Sequence, residues 1–392
     1  MEPSEKKNRM PKTNHRSSLK RKFVNWQIAF VEDCNLRCSY CSTGFGRFGQ
    51  TKQNSMKRPV WERLLEFIFS DISAGEHVSF DIQGGEPFLH FDEFLAFVDE
   101  ASKTAEKKRV TLSIAVTTNG TLLNKTRLEL CARHRINMTF SIDGGRLVHN
   151  RYRKDKNGLG THRRAMKNWR SYRKITKSLN PRPACRIQSV ITSHSRLSSL
   201  VRYWAEQGEK IADCVIQEPS RFTRCGGRKD WHLRRKRYLQ DFQKIALQQS
   251  SALDIPNFLS RFKGPSSLYE LWRDMFLNNS RVPCGVGRNT LGLDSSGNLF
   301  PCDAFIGREH WKIGDIFSGI DHDRLKSFTS TLSQLRQRCR SCSIRKFCGG
   351  GCCAAGDGDE LVLNMEQGCS FMKEIVEIAK MGYKRLEDRM EG

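Results

Sequence analysis

The chain has 392 residues, 38% of them hydrophobic, and a formal net charge of +25. That length supports about two domains with buried cores, and no run of about 18 apolar residues offers a membrane span. The N-terminus is charged and lacks the apolar stretch of a secretory signal, so a cytoplasmic location is expected.

Residues 1–22 are polar and basic and predict a disordered tail. From residue 23 short apolar runs alternate with helical patterns. The runs Ile28–Val31, Val78–Ile82, Leu112–Thr117, Met138–Ile142, Arg186–Ile191 and Cys214–Ile216 read as six strands. Between them, Val60, Leu64, Leu65, Ile68 and Phe69 recur at helix spacing, as do Phe94, Leu95, Phe97 and Val98. Such alternation predicts an α/β fold with a parallel sheet covered on its faces. Six units of this kind can close partway into a barrel over residues 23–218. Residues 219–283 predict a helical, basic linker. A cysteine- and glycine-rich segment follows over 284–370, and 371–392 have the period of an amphipathic helix.

Positive charge concentrates in the tail from Lys6 to Lys22, from Arg163 to Lys174 and from Arg221 to Arg237. A lysine- and arginine-rich surface is the plain reading. An electrostatic guide for an acidic substrate is the sharper one, and it predicts substrate affinity that falls as salt rises. A basic nucleic-acid-binding protein is a further class, but charge alone supports it and no RNA-binding motif is present.

Of the fifteen cysteines, ten fall in close-spaced groups near the two ends of the chain. In a reducing compartment such groups read as metal or cluster ligands. After the first strand comes Cys34-Asn-Leu-Arg-Cys38-Ser-Tyr-Cys41. Three thiolates on one loop can hold three irons of a 4Fe–4S cube and leave the fourth iron open. A zinc site wants four ligands, and no fourth lies close by.

The second strand ends in Gln83-Gly84-Gly85-Glu86-Pro87. A glycine pair permits close backbone approach, and Glu86 can accept hydrogen bonds from a ligand ammonium. Thr117-Thr118-Asn119-Gly120 and Ser141-Ile142-Asp143-Gly144 end the third and fourth strands. Polar turns after successive strands would line one mouth, where barrel enzymes bind ligands.

These motifs, in this order, resemble the radical S-adenosylmethionine superfamily over roughly residues 24–218. The resemblance implies a partial (β/α)6 TIM-type barrel. It implies that Cys34, Cys38 and Cys41 ligate a catalytic 4Fe–4S cluster, whose open iron chelates S-adenosylmethionine. Gln83, Gly84, Gly85 and Glu86 would hold the cofactor's amino end, Ser141 its ribose and Arg164 its carboxylate. The cofactor carries the difficult chemistry, while the protein orients it and excludes water.

The second group is Cys339-x2-Cys342-x5-Cys348-x3-Cys352 with Cys369 beyond and Cys284-x12-Gly297-x4-Cys302 upstream. Zinc ribbons show two C-x2-C knuckles, and here there is one. The pattern resembles the SPASM domain of peptide- and protein-modifying radical enzymes, a small irregular α+β iron–sulfur domain. That resemblance implies two auxiliary 4Fe–4S clusters, three clusters in all. Cys284, Cys302 and Cys352 would hold the first auxiliary cluster, and Cys339, Cys342, Cys348 and Cys369 the second. Eight cysteines complete two such clusters and seven match. Asn278 stands where the eighth is expected, which predicts an open iron or a non-cysteine ligand such as water or Asp274. A substrate thiol could bind an open iron there. Asp303, after Cys302, resembles the base of anaerobic sulfatase-maturating enzymes. Cys131, Cys185 and Cys214 read as buried apolar residues. Cys225 and Cys353 match no position, and Gly44-Phe-Gly-Arg-Phe-Gly49 is too isolated to be a phosphate loop.

The expected activity is modification of a peptide or protein side chain by thioether formation, crosslinking or oxidation. Formylglycine formation on a sulfatase and action on a small molecule such as a haem precursor are the alternatives. A flavodoxin or ferredoxin would supply electrons. Only 33 residues precede Cys34. That is too few for the leader-recognition domain of many peptide maturases, so a separate leader-binding protein is an expected partner.

Overall fold

The computed structural model describes residues 22–50, 54–209, 211–216, 228–253, 261–354 and 367–391. Cys225 and the expected disordered tail, apart from Lys22, which pairs with Glu76 at 2.7 Å, lie outside them. The chain opens with β1 (Asn25–Glu32), β2 (Asn54–Ser55), α1 (Arg58–Ser70), β3 (His77–Gly84), α2 (Phe91–Lys108), β4 (Thr111–Thr118) and α3 (Lys125–Arg133). It continues through β5 (Asn137–Ser141), α4 (Arg146–Tyr152), α5 (His162–Ile175), β6 (Cys185–Ile191), α6 (Leu197–Glu206) and β7 (Ile211–Ile216). Then come α7 (Arg228–Ala252), β8 (Gly264–Pro265), α8 (Ser266–Phe276), β9 (Thr290–Leu293), β10 (Leu299–Phe300), α9 (His322–Leu335) and α10 (Gln367–Glu391).

All six expected strands are present, and they lie parallel in the order β1-β3-β4-β5-β6-β7. Their pleat divides the residues by face. Ile28, Phe30, Val78, Phe80 and Ile82 are fully buried. Trp61, Leu64, Leu65, Ile68 and Phe69 form the buried stripe of α1 and join the same core. Gln27, Asp81 and Gln83 occupy the other face and are half-buried. A covered apolar face and a polar opposite face are what a half-open barrel requires.

The cysteine-rich segment is not a separate appendage. β9 joins the free edge of β1 in parallel, from Asn25 opposite Thr290 to Ile28 opposite Leu293. β10 folds back on β9. The hairpin is tight: a Cβ on Gly292 would lie 2.4 Å from the Cys302 carbonyl carbon. Pairing hides the backbone groups that an edge strand would otherwise leave exposed.

The expected linker is not a spacer either. The indole of Trp272 on α8 donates to the Ala379 carbonyl of α10 at 2.9 Å. Arg389 donates to the carbonyls of Ser250 and Ser251 at the end of α7. The described part of the linker and the final helix therefore form one packed layer. Phe242, Leu268 and Trp272 are buried in it, and their apolar faces are too large to leave in water. Among the described residues no helix is long and apolar enough to cross a membrane.

Trp272 is fully buried and bonded across this layer. Trp272→Ala should cost about 3–5 kcal/mol of stability, the range for large core truncations. Denaturant unfolding measures it, and a loss under about 1 kcal/mol would show that α10 is not held through this contact.

Candidate active site

The first cysteine loop leaves the carboxyl end of β1. Its sulfurs already meet hydrogen-bond donors. The Leu36 amide donates to Cys34 Sγ at 3.4 Å, and the Phe45 amide to Cys41 Sγ at 3.1 Å. The Asn119 side-chain amide reaches Cys34 Sγ at 3.7 Å. Leu36, Tyr40 and Val190 are buried around the thiols. Burial pushes the Cys38 thiol up to about 12, with Arg153 pulling the other way. Burial also raises Cys34, and the Glu86 charge adds to it. Cys34, Cys38 and Cys41 all pack in one cluster with Leu36, Tyr40 and Val190.

Three supports fix this loop. The first is a buried ion pair. Arg153 Nε donates to Asp143 Oδ2 at 3.0 Å, and the Val190 amide to Asp143 Oδ1 at 3.0 Å. Tyr40, inside the loop, gives its hydroxyl proton to the same Asp143 carboxylate. The second is main chain: the Arg37 amide donates to the Lys154 carbonyl at 2.7 Å, and the Ser39 amide to Tyr152 at 3.2 Å. The third is the glycine turn after β3. The Gly85 amide bonds Val31 at 2.9 Å and the Glu86 amide bonds Asp33 at 2.8 Å. A Cβ on Gly85 would lie 1.9 Å from the Asp33 carbonyl oxygen, and one on Gly46 would lie 2.3 Å from Gly85 Cα. The close approach that Gly85 permits is thus to protein backbone, and Gly46 explains one glycine of the run after the cysteine loop.

Glu86 is buried beneath this turn. Its Oε1 accepts from the Thr118 hydroxyl at 2.7 Å and the Phe88 amide at 3.3 Å, and its Oε2 from the Asn119 amide at 2.7 Å. Burial nevertheless raises its pKa to about 7. A carboxylate offers about four acceptor positions, so Oε2 retains one. Asp33 Oδ1 is buried with no partner among the described residues. Ser141 closes β5 and is buried. Arg164 stands in the first turn of α5, half-exposed, with its guanidinium on Asp155 at 2.6 Å. Asp155 bridges to Leu36 of the cysteine loop.

The second cysteine group divides in two. Burial raises the pKa of Cys369, and then Cys348, Cys339 and Cys342 add to it, so those three thiols lie within electrostatic reach of Cys369. Cys302 is raised by burial, then by Asp303, Cys353 and Cys352. Cys353 is pushed up to about 12 by burial, then Cys352, with Arg336 opposing and Cys284 adding. Cys352 and Cys353 thus lie within electrostatic reach of Cys302, and Cys284 within reach of Cys353. Asp274, a possible fourth ligand on sequence grounds, is held by Arg281 at 3.0 Å and Arg273 at 3.3 Å. Its carboxylate is committed to that pairing. Among the described residues no three Cys, His, Asp or Glu side chains are arranged to hold a single metal ion. A 4Fe–4S cube is larger than one ion and takes a thiolate at each ligated corner.

Residues 28–180 match the profile of the radical SAM superfamily. The chain carries a radical SAM domain. It is 24% identical over 379 residues to the cysteine-type anaerobic sulfatase-maturating enzyme of Clostridium perfringens (strain 13 / Type A), across 88% of this chain and 93% of that enzyme. Native anSMEcpe with bound AdoMet and Cp18Cys peptide superposes with a TM-score of 0.73 at 22% identity, over 94% of this chain and 99% of that one. Streptococcus suis SuiB bound to precursor peptide SuiA gives a TM-score of 0.56 at 18% identity, over 88% of this chain and 75% of that one. The expected α/β fold is thereby shown.

On the half-buried face of the radical SAM sheet lies a pair of carboxylates. Asp303 follows β10, and its amide bonds the Gln27 side chain of β1 at 3.1 Å. Burial raises its pKa, against a Gln83 hydrogen bond that lowers it. Asp81, two residues before Gln83, is pushed up to about 6 by burial and then by the Asp303 charge. Asp81 went unmarked in the sequence, although its place as a charged residue inside an apolar strand run was a usable signal.

A carboxyl whose folded pKa stands above its unfolded value loses stability as pH rises. The contribution is fully present below about 3.8 and gone above about 6. Asp81→Asn removes that loss. The variant should gain on the parent by up to about 3 kcal/mol at neutral pH, and by little near pH 4. Thermal unfolding at the two pH values decides it, and an equal difference at both would exclude Asp81 as a strained, buried carboxylate.

Proposed function

We propose that this radical SAM enzyme modifies a peptide or protein side chain. The observation that carries the reading is the convergence of the cysteine loop, the Gly84–Glu86 turn and Asn119 on one end of the sheet, with Asp303 on its polar face. Support for a peptide substrate comes from two neighbours of the same fold whose structures hold peptides.

Cys34, Cys38 and Cys41 fit a 4Fe–4S cluster: they lie on one loop, and backbone or amide donors already face two of their sulfurs. Such hydrogen bonds tune cluster potentials. When bound, cluster and S-adenosylmethionine would supply reductive cleavage and a hydrogen-abstracting carbon radical. The chain's part is to bind, orient and exclude water. Gln83, Gly84, Gly85 and Glu86 would frame the cofactor's amino group, with the spare acceptor on Glu86 Oε2 and the unpartnered Asp33 Oδ1 available to an ammonium. Ser141 would meet the ribose. Arg164 would reach the carboxylate on leaving Asp155. The thiols grouped with Cys302 and with Cys369 would hold two auxiliary clusters. Asp303 would take the proton of a substrate thiol or hydroxyl, as a desolvated carboxylate with a raised pKa can. A flavodoxin or ferredoxin would deliver electrons, and a separate protein would present any leader.

Formylglycine formation is the second reading. The Cys302-Asp303 pair favours it, as does the near full-length likeness to a sulfatase-maturating enzyme. Oxidation of a cysteine or serine to an aldehyde would then give one hydrogen atom to the carbon radical, one proton to Asp303 and one electron to an auxiliary cluster, with water displacing hydrosulfide where the substrate is cysteine.

Purified anaerobically and given dithionite with S-adenosylmethionine, the enzyme should form 5′-deoxyadenosine. Replacing Cys34, Cys38 and Cys41 by alanine should abolish it. Product formation by that variant at the parent rate would sink the assignment. Mass spectrometry of cysteine- and serine-containing peptides then separates aldehyde from crosslink.

A further inference from the structure

The first auxiliary site has a residue to spare as well as a residue missing. Asn278 stands at the expected eighth cysteine. It is exposed at the end of α8, in left-handed backbone with φ 53°, and its side-chain oxygen accepts from Lys346. Its amide is committed elsewhere, and amide oxygen is a poor ligand for an iron–sulfur cluster.

Cys353 has the opposite character. It is buried, 4% exposed, in a small core of its own with Val286, Phe305 and Phe328, and Cys302 packs against that core. Val286 is two residues from Cys284, so three ligand-bearing segments converge there. The backbone before Cys353 is a run of left-handed glycines, Gly349, Gly350 and Gly351, at φ 66°, 95° and 70°. Such a run bends the chain sharply where side-chain-bearing residues would be strained. It turns against the segment that carries Cys284, since a Cβ on Gly349 would lie 3.1 Å from the carbonyl oxygen of Val282, and Cys352 and Cys353 follow on consecutive residues.

A second observation is independent of the thiols. Two buried donors in this region, Arg336 Nε and Trp311 Nε1, have no acceptor among the described residues. Trp311 packs against the Cys353 core. Arg336 donates from Nη2 to the Gly351 carbonyl at 3.4 Å. Buried donors without an acceptor are costly. Sulfide and thiolate sulfurs of a bound cluster would accept from them.

We propose that Cys353 is the fourth ligand of the first auxiliary cluster, with Cys284, Cys302 and Cys352, in place of the cysteine absent at Asn278. The inference rests on the reading of auxiliary clusters given above. It replaces the open iron expected from the sequence with a closed, four-thiolate site, suited to electron relay rather than to capture of a substrate thiol.

The test starts from the protein with Cys34, Cys38 and Cys41 replaced by alanine, reconstituted anaerobically with ⁵⁷Fe. About eight irons per chain are expected, as two 4Fe–4S clusters. Their Mössbauer and paramagnetic resonance spectra should not change on adding a small thiol. Adding Cys353→Val, which keeps the apolar volume, should open one iron. Mild oxidation should then remove about one iron per chain and leave a 3Fe–4S signal, and added thiol should shift the spectrum. Cys353→Ser should keep the iron and shift its spectrum, since oxygen replaces sulfur. Unchanged iron content, spectrum and thiol response in the Cys353→Val protein would overturn the proposal, as would a thiol response before Cys353 is changed. Absence of any cluster in the starting protein would instead refute the auxiliary-cluster reading, and Cys353 with it.

Discussion

The buried Asp143–Arg153 pair is the contact on which the site's geometry depends. Burial opposes the charge on Arg153, yet Asp143, Tyr40 and Cys38 together drive its pKa upward. A pair of this kind adds little net stability, but removing one partner strands a charge at a cost of about 3–5 kcal/mol. Its value here is positional. Asp143 ends the turn after β5, Arg153 follows α4, and Tyr40 belongs to the cysteine loop. One carboxylate therefore ties three separate segments together. Neutral His149 completes the arrangement: its Nδ1 accepts the Asp143 amide at 3.3 Å and its other nitrogen pairs with Thr161 at 3.0 Å. Burial, with Arg153 and His162 nearby, depresses its pKa to about 2. The loop is thus held by side-chain and main-chain contacts from several segments of the protein.

The second constraint is backbone packed on backbone. Asp33, Gly46 and Gly85 lie in contact with no room for a side chain at either glycine. The same device joins the C-terminal segment to the barrel, where a Cβ on Gly307 would lie 2.1 Å from the Phe48 carbonyl oxygen. The cysteine loop thus sits between the turn after β3 on one side and the cysteine-rich segment on the other. Motion of either would be felt at the thiols.

Much of this was legible in the sequence. Apolar runs and helical period marked all six strands, because a parallel sheet buries its strands and leaves little ambiguity of face. The cysteine spacings marked the thiol groups, since ligands on one loop are local in sequence. Long-range pairings were not legible. Arg164 drew attention through its motif, yet the arginine buried against the cysteine loop is Arg153, whose role depends on an aspartate beyond the end of β5. Nothing local says that Thr290–Leu293 will pair with β1, because a four-residue strand carries almost no pattern of its own. Cys353 matched no spacing, and only burial beside Cys302 distinguishes it from an idle neighbour of Cys352. Asp274 was plausible until its two arginine partners were seen.

The edge pairing of β9 with β1 has a consequence for how such an enzyme can diversify. β7 lies toward one border of the sheet, while β9 is pinned to the opposite border through main-chain hydrogen bonds that do not depend on side-chain identity. Between them α7 and α8 are bonded to α10 and β8 pairs with β7, so only the connections joining these elements can change length without disturbing either border. Loop length costs little thermodynamically, about 0.6 kcal/mol per doubling. A change of length confined to those connections would therefore leave β9 in register on β1, a tolerance that chimeras exchanging whole helices of that stretch would not inherit.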